Sequence, residues 1–503
     1  MQRNTHFFIL LGVALIVPLI AMMLIPLADT SEPRYAEIAR LMYASGDWIT
    51  PWFAPGTPFW GKPPLSFWLQ AASFHVFGVS EFAVRLPSWL ATAATLALLY
   101  QCCVTLFDAA TARRSVMIYA TCALSFISSG AVLTDPFLAL GTTLCMTGWI
   151  MPRHSSSLFW RYSFFIGLAV GLLAKGPLIL ILAGGAISLW LLFYPNARAT
   201  LTHLPWIKGL TLTLVLSAPW YLAAEIKTPG FLNYFFVGEH FLRFVDPGWK
   251  GDLYGTAHQA PLGTIWYYWL QASFPWGLAA LLLLLNALFK PEKRTNLRRH
   301  LSDYRIGYFL AWSIFTPLFF TLSGNILWTY ILPSLGGFSI VLAYAWPLPG
   351  KIKKAHGKAF LQWNASSFPI LALLAPAAMA ILVVLVSYKP NLVKTEKMLV
   401  QHTRTALPFV YPLYYLDEVP FSARFYSFES AKPLKEQDVL EKMQSGQNFW
   451  LAIPKSRTDL TETQFTQPIF ANKRHNLYLI NNTKQDAMAA KSAQPGLIEP
   501  ITQ

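Results

Sequence analysis

The chain has 503 residues, 54% of them hydrophobic and only 13% charged, and its 39 Lys and Arg outnumber 24 Asp and Glu to give a formal net charge of +15. A mean hydropathy of +0.41 excludes an ordinary soluble globular domain and a charge-rich disordered chain. The basic residues are spread through short loops without aromatic interleaving or helix-turn-helix patterning, which argues against nucleic acid as a partner.

Apolar runs of about the twenty residues needed to cross a hydrocarbon core recur along the chain. Spans are expected at 7–28, 82–106, 115–132, 136–151, 158–174, 176–195, 208–225, 263–289, 306–322, 328–346 and 366–387. The fold class is therefore an α-helical polytopic membrane protein with about eleven to thirteen transmembrane helices. The first run is too long for a signal peptide and lacks a small-residue cleavage site, so it reads as a retained helix with a cytoplasmic N-terminus. Alternate loops then hold Arg113 and Arg114, Arg153 and Arg161, Arg198, the 290–305 segment with Lys293, Arg294, Arg298 and Arg299, and Lys351, Lys353, Lys354 and Lys358. Each obeys the positive-inside rule. Cys102, Cys103, Cys122 and Cys145 all fall in or beside apolar runs and read as structural, with no disulfide framework or metal-binding spacing.

The same count sends the loops 29–81, 133–135, 226–262 and 323–327, the turn at Lys175 and the tail from Tyr388 to the outer face. Loop 29–81 is rich in Pro, Trp and Phe and has two amphipathic stretches, 33–44 and 64–77, expected as interfacial helices. The tail turns polar, with strand-like runs at 449–453 and 476–480 around a helix-like 434–443. Two domains follow: a transmembrane domain over 1–387 with outer loops 29–81 and 226–262, and a small mixed α/β periplasmic domain over 388–503. No internal repeat supports the twofold architecture of many secondary transporters.

Candidate chemistry collects on that outer face. Asp29 and Glu32 stand where the first helix meets water, and a carboxylate there can orient or deprotonate an acceptor; charges also begin at such boundaries for purely structural reasons. Lys62, in Phe59-Trp60-Gly61-Lys62-Pro63-Pro64, is a cation among aromatics that could hold a lipid-linked phosphate or simply snorkel. Asp135 and Lys175 each lie between two apolar runs with almost no loop, where a charge is costly; Asp135 there points to function, and Lys175 could bind the same anion as Lys62 or simply mark a loop. In Gly238-Glu239-His240-Phe241-Leu242-Arg243, helical spacing puts His240 and Arg243 on one face; Arg243 suits a phosphate, and a structural ion pair with Glu239 is the alternative. Asn325 and Tyr330 flank an outer helix end, where a phenol can reach a headgroup or join an aromatic belt. Acids and cations sorted to one face suit group transfer from a lipid phosphate, the phosphate being the leaving group.

At these positions the chain resembles the glycosyltransferase C superfamily, in the branch of lipid A aminoarabinose transferases and the protein mannosyltransferase group. The resemblance rests on motif order: residues 32–40 beginning Glu32-Pro33-Arg34-Tyr35-Ala36-Glu37, then Ser45-Gly46-Asp47-Trp48, Lys62-Pro63, Asp135-Pro136, Lys175-Gly176, Pro219-Trp220, Tyr234-Phe235-Phe236, Glu239-His240, Arg243-Phe244, Tyr330-Ile331-Leu332-Pro333 and a tail segment over 420–426. It implies that Lys62, Arg243 and Tyr330, with Lys175, hold undecaprenyl phosphate, that Glu32, Asp29 and Asp135 are the catalytic acids, and that Arg34, Tyr35, Glu239, His240 and Asn325 position substrates. It further implies an inverting transfer of an aminoarabinose-like sugar from undecaprenyl phosphate to lipid A or another envelope glycan, on the periplasmic face of the bacterial inner membrane, among membrane lipids. The resemblance implies no certain cofactor, since many such enzymes need no metal; a divalent metal is compatible with the motifs but not indicated by them. The chain departs from the family at Ser31 and Gly61, where an Asp and a Glu are common. Either Asp29 supplies the second carboxylate, or the acceptor needs only one, as an ionised phosphate would. The alternatives are a protein O-glycosyltransferase and, in a different class, a lipid-linked sugar transporter or flippase.

Overall fold

The computed structural model describes residues 2–246, 248–255, 258–346, 367–407, 410–457 and 467–480. Lys351, Lys353, Lys354 and Lys358 of the expected cytoplasmic loop lie outside the described residues. The protein is an α-helical membrane protein with a small C-terminal sheet region, and it divides into two compact units. One joins residues 1–23 to 41–382, and the other joins residues 24–40 to the C-terminal part from Val383.

Every expected apolar run in the first unit is helical, but the runs differ in reach. Thr5–Leu24, Glu81–Leu106, Leu158–Lys175, Trp206–Lys227, Trp328–Ala345 and Ser367–Tyr388 are each long and apolar enough to cross a membrane. Thr264–Ala272 and Trp276–Phe289 qualify only as a pair, bent by 108° at a short break that contains Pro275, which has no N–H to continue a helix. The runs expected at 136–151, 176–195 and 306–322 become helices of 16, 16 and 17 residues. The run expected at 115–132 breaks at Cys122 into Ala109–Thr121 and Ala123–Ser129. Among the described residues, six or seven helices or bent pairs are long and apolar enough to span a membrane, where eleven to thirteen spans were expected. Helix starts follow the local chemistry: Ser80 and Asp108 accept the N–H of Ala83 and Thr111, at 3.2 and 2.8 Å, as N-caps.

The helix pair Asp135–Ile150 and Leu158–Lys175 does most to position the candidate site. Its seam is lined by small residues. A Cβ added at Gly141 would come within 2.9 Å of the Gly167 carbonyl, and one added at Gly167 within 2.6 Å of the Cys145 nitrogen. Backbones that approach this closely pack without a hydrophobic drive between helices, as lipid surroundings require. Because the two helices run antiparallel, the first residue of one, Asp135, and the last of the other, Lys175, arrive at the same end. An acid at a helix N-terminus and a cation at a C-terminus both suit the helix dipole.

The expected interfacial stretches are helices, Ser31–Ser45 and Leu65–Phe77. Between them lies a small hairpin, Trp52–Ala54 against Thr57–Pro58, that the sequence did not announce.

The second unit is built on a five-stranded mixed sheet, in the order Lys432–Leu434, Leu413–Leu416, Phe449–Pro454, His475–Ile480, Phe470–Ala471. The first three strands are parallel and the last two pairings antiparallel. Helices Lys397–Thr405, Phe421–Ser427 and Glu436–Gln444 accompany it, and Trp450, Tyr415, Leu399 and Leu477 are fully buried in its core.

Candidate active site

Residues 233–242 form a π-helix rather than the α-helix assumed from their charge spacing. Its wider turn stacks residues five apart, so the Tyr234 hydroxyl lies 3.5 Å from Glu239 and the Phe235 carbonyl 2.8 Å from His240 Nδ1. Such turns are rare and concentrate at functional positions. Here the wider turn sends Glu239 and His240 in different directions.

Glu239 faces two cations. Lys62 Nζ, from the 29–81 loop, reaches its carboxylate at 3.2 Å, and Arg243 Nη1 reaches both of its oxygens at 3.1 Å. Arg243 also meets Asp252 at 3.4 Å, and the Lys62 ammonium donates to the Gly61 carbonyl. The Glu239 side chain is only 5% exposed. Burial alone would raise its carboxyl pKa, but the Lys62 and Arg243 charges outweigh burial and hold it below the usual range. The loop is braced by aromatics: the Tyr254 hydroxyl donates to the Pro58 carbonyl at 2.8 Å and accepts the Trp60 N–H at 3.0 Å. This packing explains Gly61, because a Cβ there would meet the Phe59 ring at 3.0 Å and Tyr254 at 3.4 Å.

His240 turns the other way, and its Nε2 lies 2.9 Å from the Lys175 carbonyl. The approach needs Gly176, whose φ of +78° and contact with Phe235 and His240 leave no room for a side chain. Burial depresses the His240 pKa, its two backbone contacts opposing only in part. Lys175 Nζ donates to Asp135 Oδ1 at 2.7 Å, with both side chains under 9% exposed, and lies 5.1 Å from the centre of the Tyr330 ring. Phe320 packs on Tyr330 at 4.9 Å and on Phe319 at 5.0 Å, and Phe319 stacks on Phe244, next to Arg243, at 4.8 Å. Lys62, Asp135, Lys175, Glu239, His240, Arg243 and Tyr330, distant in sequence, are thus joined by one series of contacts. Asn325 is pinned nearby in its own loop, accepting the His258 N–H at 3.1 Å as Ala260 N–H donates to the Gly324 carbonyl.

The remaining candidates belong to the second unit. The Asp29 side chain is almost fully buried. Its carboxylate accepts the Ser422 N–H at 2.9 Å and the Ser422 hydroxyl at 2.5 Å, and pairs with Arg474 at 3.0 Å. Burial raises its pKa above 3.8, against these partners. Glu32 is half-buried in the first turn of its helix, and its carboxylate accepts the Ala28 N–H at 3.3 Å. Arg34 lies over the Tyr35 ring at 5.2 Å.

Sequence reasoning did not single out Asp252 or Tyr254, for which the density of Tyr, Trp and Gly over 249–255 was the only signal, and it quoted Tyr234 within a motif without giving it a role. Nor did it assign the buried pair Glu37–Arg40, joined by two bonds of 2.7 Å, although their three-residue spacing on a helix was readable. Among the described residues no group of three or more His, Cys, Asp or Glu is gathered as a metal would require.

Residues 7–235 match the family model described as dolichyl-phosphate-mannose-protein mannosyltransferase. The undecaprenyl phosphate-alpha-4-amino-4-deoxy-L-arabinose arabinosyl transferases of Erwinia tasmaniensis and Yersinia pestis are each 31% identical, over 335 and 323 residues. Those matches cover 65% and 62% of this chain and 56% and 54% of the relatives, so the chain spans little more than half the length of the curated relatives it matches. The crystal structure of ArnT from Cupriavidus metallidurans bound to undecaprenyl phosphate has the same fold, with a TM-score of 0.71 at 18% identity over 95% of this chain and 98% of that one. Its apo state gives 0.73 at 16% identity, with the same coverage. The resemblance drawn from motif order therefore holds in sequence and in fold.

Proposed function

We propose that this chain, a relative of the glycosyltransferase C superfamily in sequence and fold, is an inverting glycosyltransferase that moves an aminoarabinose-like sugar from undecaprenyl phosphate to lipid A or another envelope acceptor. The observation that carries this reading is the convergence of Lys62 and Arg243 on one buried carboxylate, tied through His240 to the Lys175–Asp135 pair. Two forked or multi-donor cations on adjoining segments suit a phosphate that gains charge as it leaves.

In the proposed reaction the bond between the anomeric carbon and the phosphate oxygen breaks, its electron pair stays on the phosphate, and the acceptor oxygen bonds the carbon from the opposite face. Lys62 and Arg243 stabilise the departing phosphate, with Tyr330 and Lys175 holding its lipid side. Glu32 and Asp135 orient sugar and acceptor. A hydroxyl acceptor would pass its proton to one of these acids, whereas an acceptor phosphate, already ionised, would need no base. Asp29, bonded to Ser422 and Arg474, holds the segment from which Glu32 starts. The basic loops support a cytoplasmic opposite face, and hence a periplasmic site in the bacterial inner membrane with residues 388–503 forming an outward domain.

Mass spectrometry of lipid A from cells with the chain, without it, and with Glu32→Ala tests the reading. A glycan mass shift that requires both the chain and Glu32 is the expected result. A shift on another envelope glycan or on protein would move the acceptor; none on any acceptor would overturn the transferase reading.

A further inference from the structure

The charge at the phosphate seat is more finely balanced than binding alone calls for. Lys62 and Arg243 would suffice to hold an anion, yet Glu239 meets both at 3.1–3.2 Å and Asp252 meets Arg243 at 3.4 Å, so two cations face two carboxylates. Neither acid is at the protein surface: the side chains of Glu239 and Asp252 are 5% and 10% exposed. In such surroundings charges act on one another with less screening than in water.

The proposed reaction changes the charge of its own ligand. The donor's phosphate is esterified twice, to lipid and to sugar, and carries one negative charge. When the bond to the anomeric carbon breaks and the electron pair remains on oxygen, the product is esterified once. Its second ionisation lies near pH 6, so at neutral pH it is largely a dianion. Two uncompensated cations would grip this product more firmly than the donor, and each turnover would end in a trapped lipid phosphate.

We infer that Glu239 is a specificity residue that discriminates the phosphodiester donor from the phosphomonoester product, its fixed negative charge repelling the dianion more than the monoanion and so releasing the spent lipid. The inference rests on Lys62 and Arg243 being the phosphate seat. The Tyr234 hydroxyl, on the same π-helical turn, lies 3.5 Å from the Glu239 carboxylate that meets both cations.

The test uses the full chain in detergent and two soluble probes, a short-chain polyprenyl phosphate monoester and its methyl diester. Inhibition constants are measured in wild type, Glu239→Gln, Glu239→Asp and Lys62→Ala. Glu239→Gln is expected to tighten the monoester at least about tenfold more than the diester. Donor KM and kcat should fall together as product release slows; Glu239→Asp, which keeps the charge, should restore the wild-type preference. A merely structural role would weaken both probes together. An unchanged monoester-to-diester ratio in Glu239→Gln, with Lys62→Ala still weakening both probes, would overturn this inference and leave the phosphate seat standing. If Lys62→Ala changes neither, the seat itself is misassigned and both readings fall. Should Glu239→Gln not fold, Asp252→Asn must shift the ratio in the same direction by a smaller factor, and an unshifted ratio would sink the proposal.

Discussion

Glu239 and Glu396 are both carboxylates withdrawn from solvent, one in the 226–262 loop of the first unit and the other in the second unit, and they keep very different company. Glu239 is met by Lys62 and Arg243, long cations with donors to spare. Glu396, fully buried, is met by Asn472 at 2.7 Å, His475 at 2.9 Å and Tyr415 at 3.3 Å, short or rigid side chains carried on the sheet and its adjoining turn. Ser422 ties this group to Asp29, since its hydroxyl accepts the Glu396 N–H and donates to Asp29. A flexible cation can exchange one anion for another, whereas donors fixed by a sheet cannot follow a ligand. The first arrangement is fit for binding and the second for holding a fold.

That contrast can be broken most directly at Lys62. Lys62→Ala should lower kcat/KM for sugar transfer by roughly two to three orders of magnitude, the scale of losing a charge-stabilising donor. Thermal unfolding in detergent should stay near wild type, because Lys62 is the most exposed member of its cluster. A folded, fully active variant would remove the seat from the proposal. Lys175→Met should act differently, since it leaves Asp135 buried without its cation. A loss of about 3–5 kcal/mol in stability is expected, read as a fall in Tm together with lost transfer. If activity is lost at unchanged Tm, Lys175 is a ligand-binding cation rather than half of a structural pair.

The helical runs and their order were legible because hydrophobic length is a local property, and so were the helices at Ser31–Ser45 and Leu65–Phe77. Strands Phe449–Pro454 and His475–Ile480 were also readable as β-rich runs. Leu413–Leu416 and Lys432–Leu434 were not, being three or four residues long and too short for any period to emerge. At the site, the identities of Lys62, Glu239 and Arg243 were legible but their meeting was not, because Lys62 and Glu239 are 177 residues apart. The π-helix escaped because charges four apart read as an α-helical pair, and nothing local records the extra residue in each turn. Asp29 shows the same limit more sharply: a carboxylate at a membrane boundary suggests catalysis, and its partner Ser422 lies 393 residues away.

In the C-terminal unit the expected effects are smaller and thermodynamic. Glu396→Gln keeps the shape but turns one acceptor oxygen into a donor, facing groups that already donate. It should destabilise the protein by about 1–3 kcal/mol, measured by thermal unfolding, with kcat per folded molecule unchanged. Loss of turnover without loss of stability would erase the distinction between the two clusters.

Asp29 supplies the finest test, because its burial leaves a signature in pH. Its folded carboxyl binds a proton more tightly than the unfolded chain's, burial having raised its pKa above 3.8. Its contribution to stability is therefore fully present below 3.8 and is lost as pH rises through the raised folded value. Asp29→Asn has no proton to lose. It retains an oxygen for the Ser422 N–H but places an amide nitrogen where a carboxyl oxygen accepts the Ser422 hydroxyl, for a cost of about 0.5–1.5 kcal/mol. Unfolding midpoints of wild type and variant, followed upward from pH 3.5 in the same detergent, should thus differ most at the acid end and converge as the wild type loses its proton. A gap that widens with pH would mean that the Arg474 pair outweighs burial and that Asp29 is held as a stabilised anion. That would return it to the candidates for a carboxylate kept charged for chemistry.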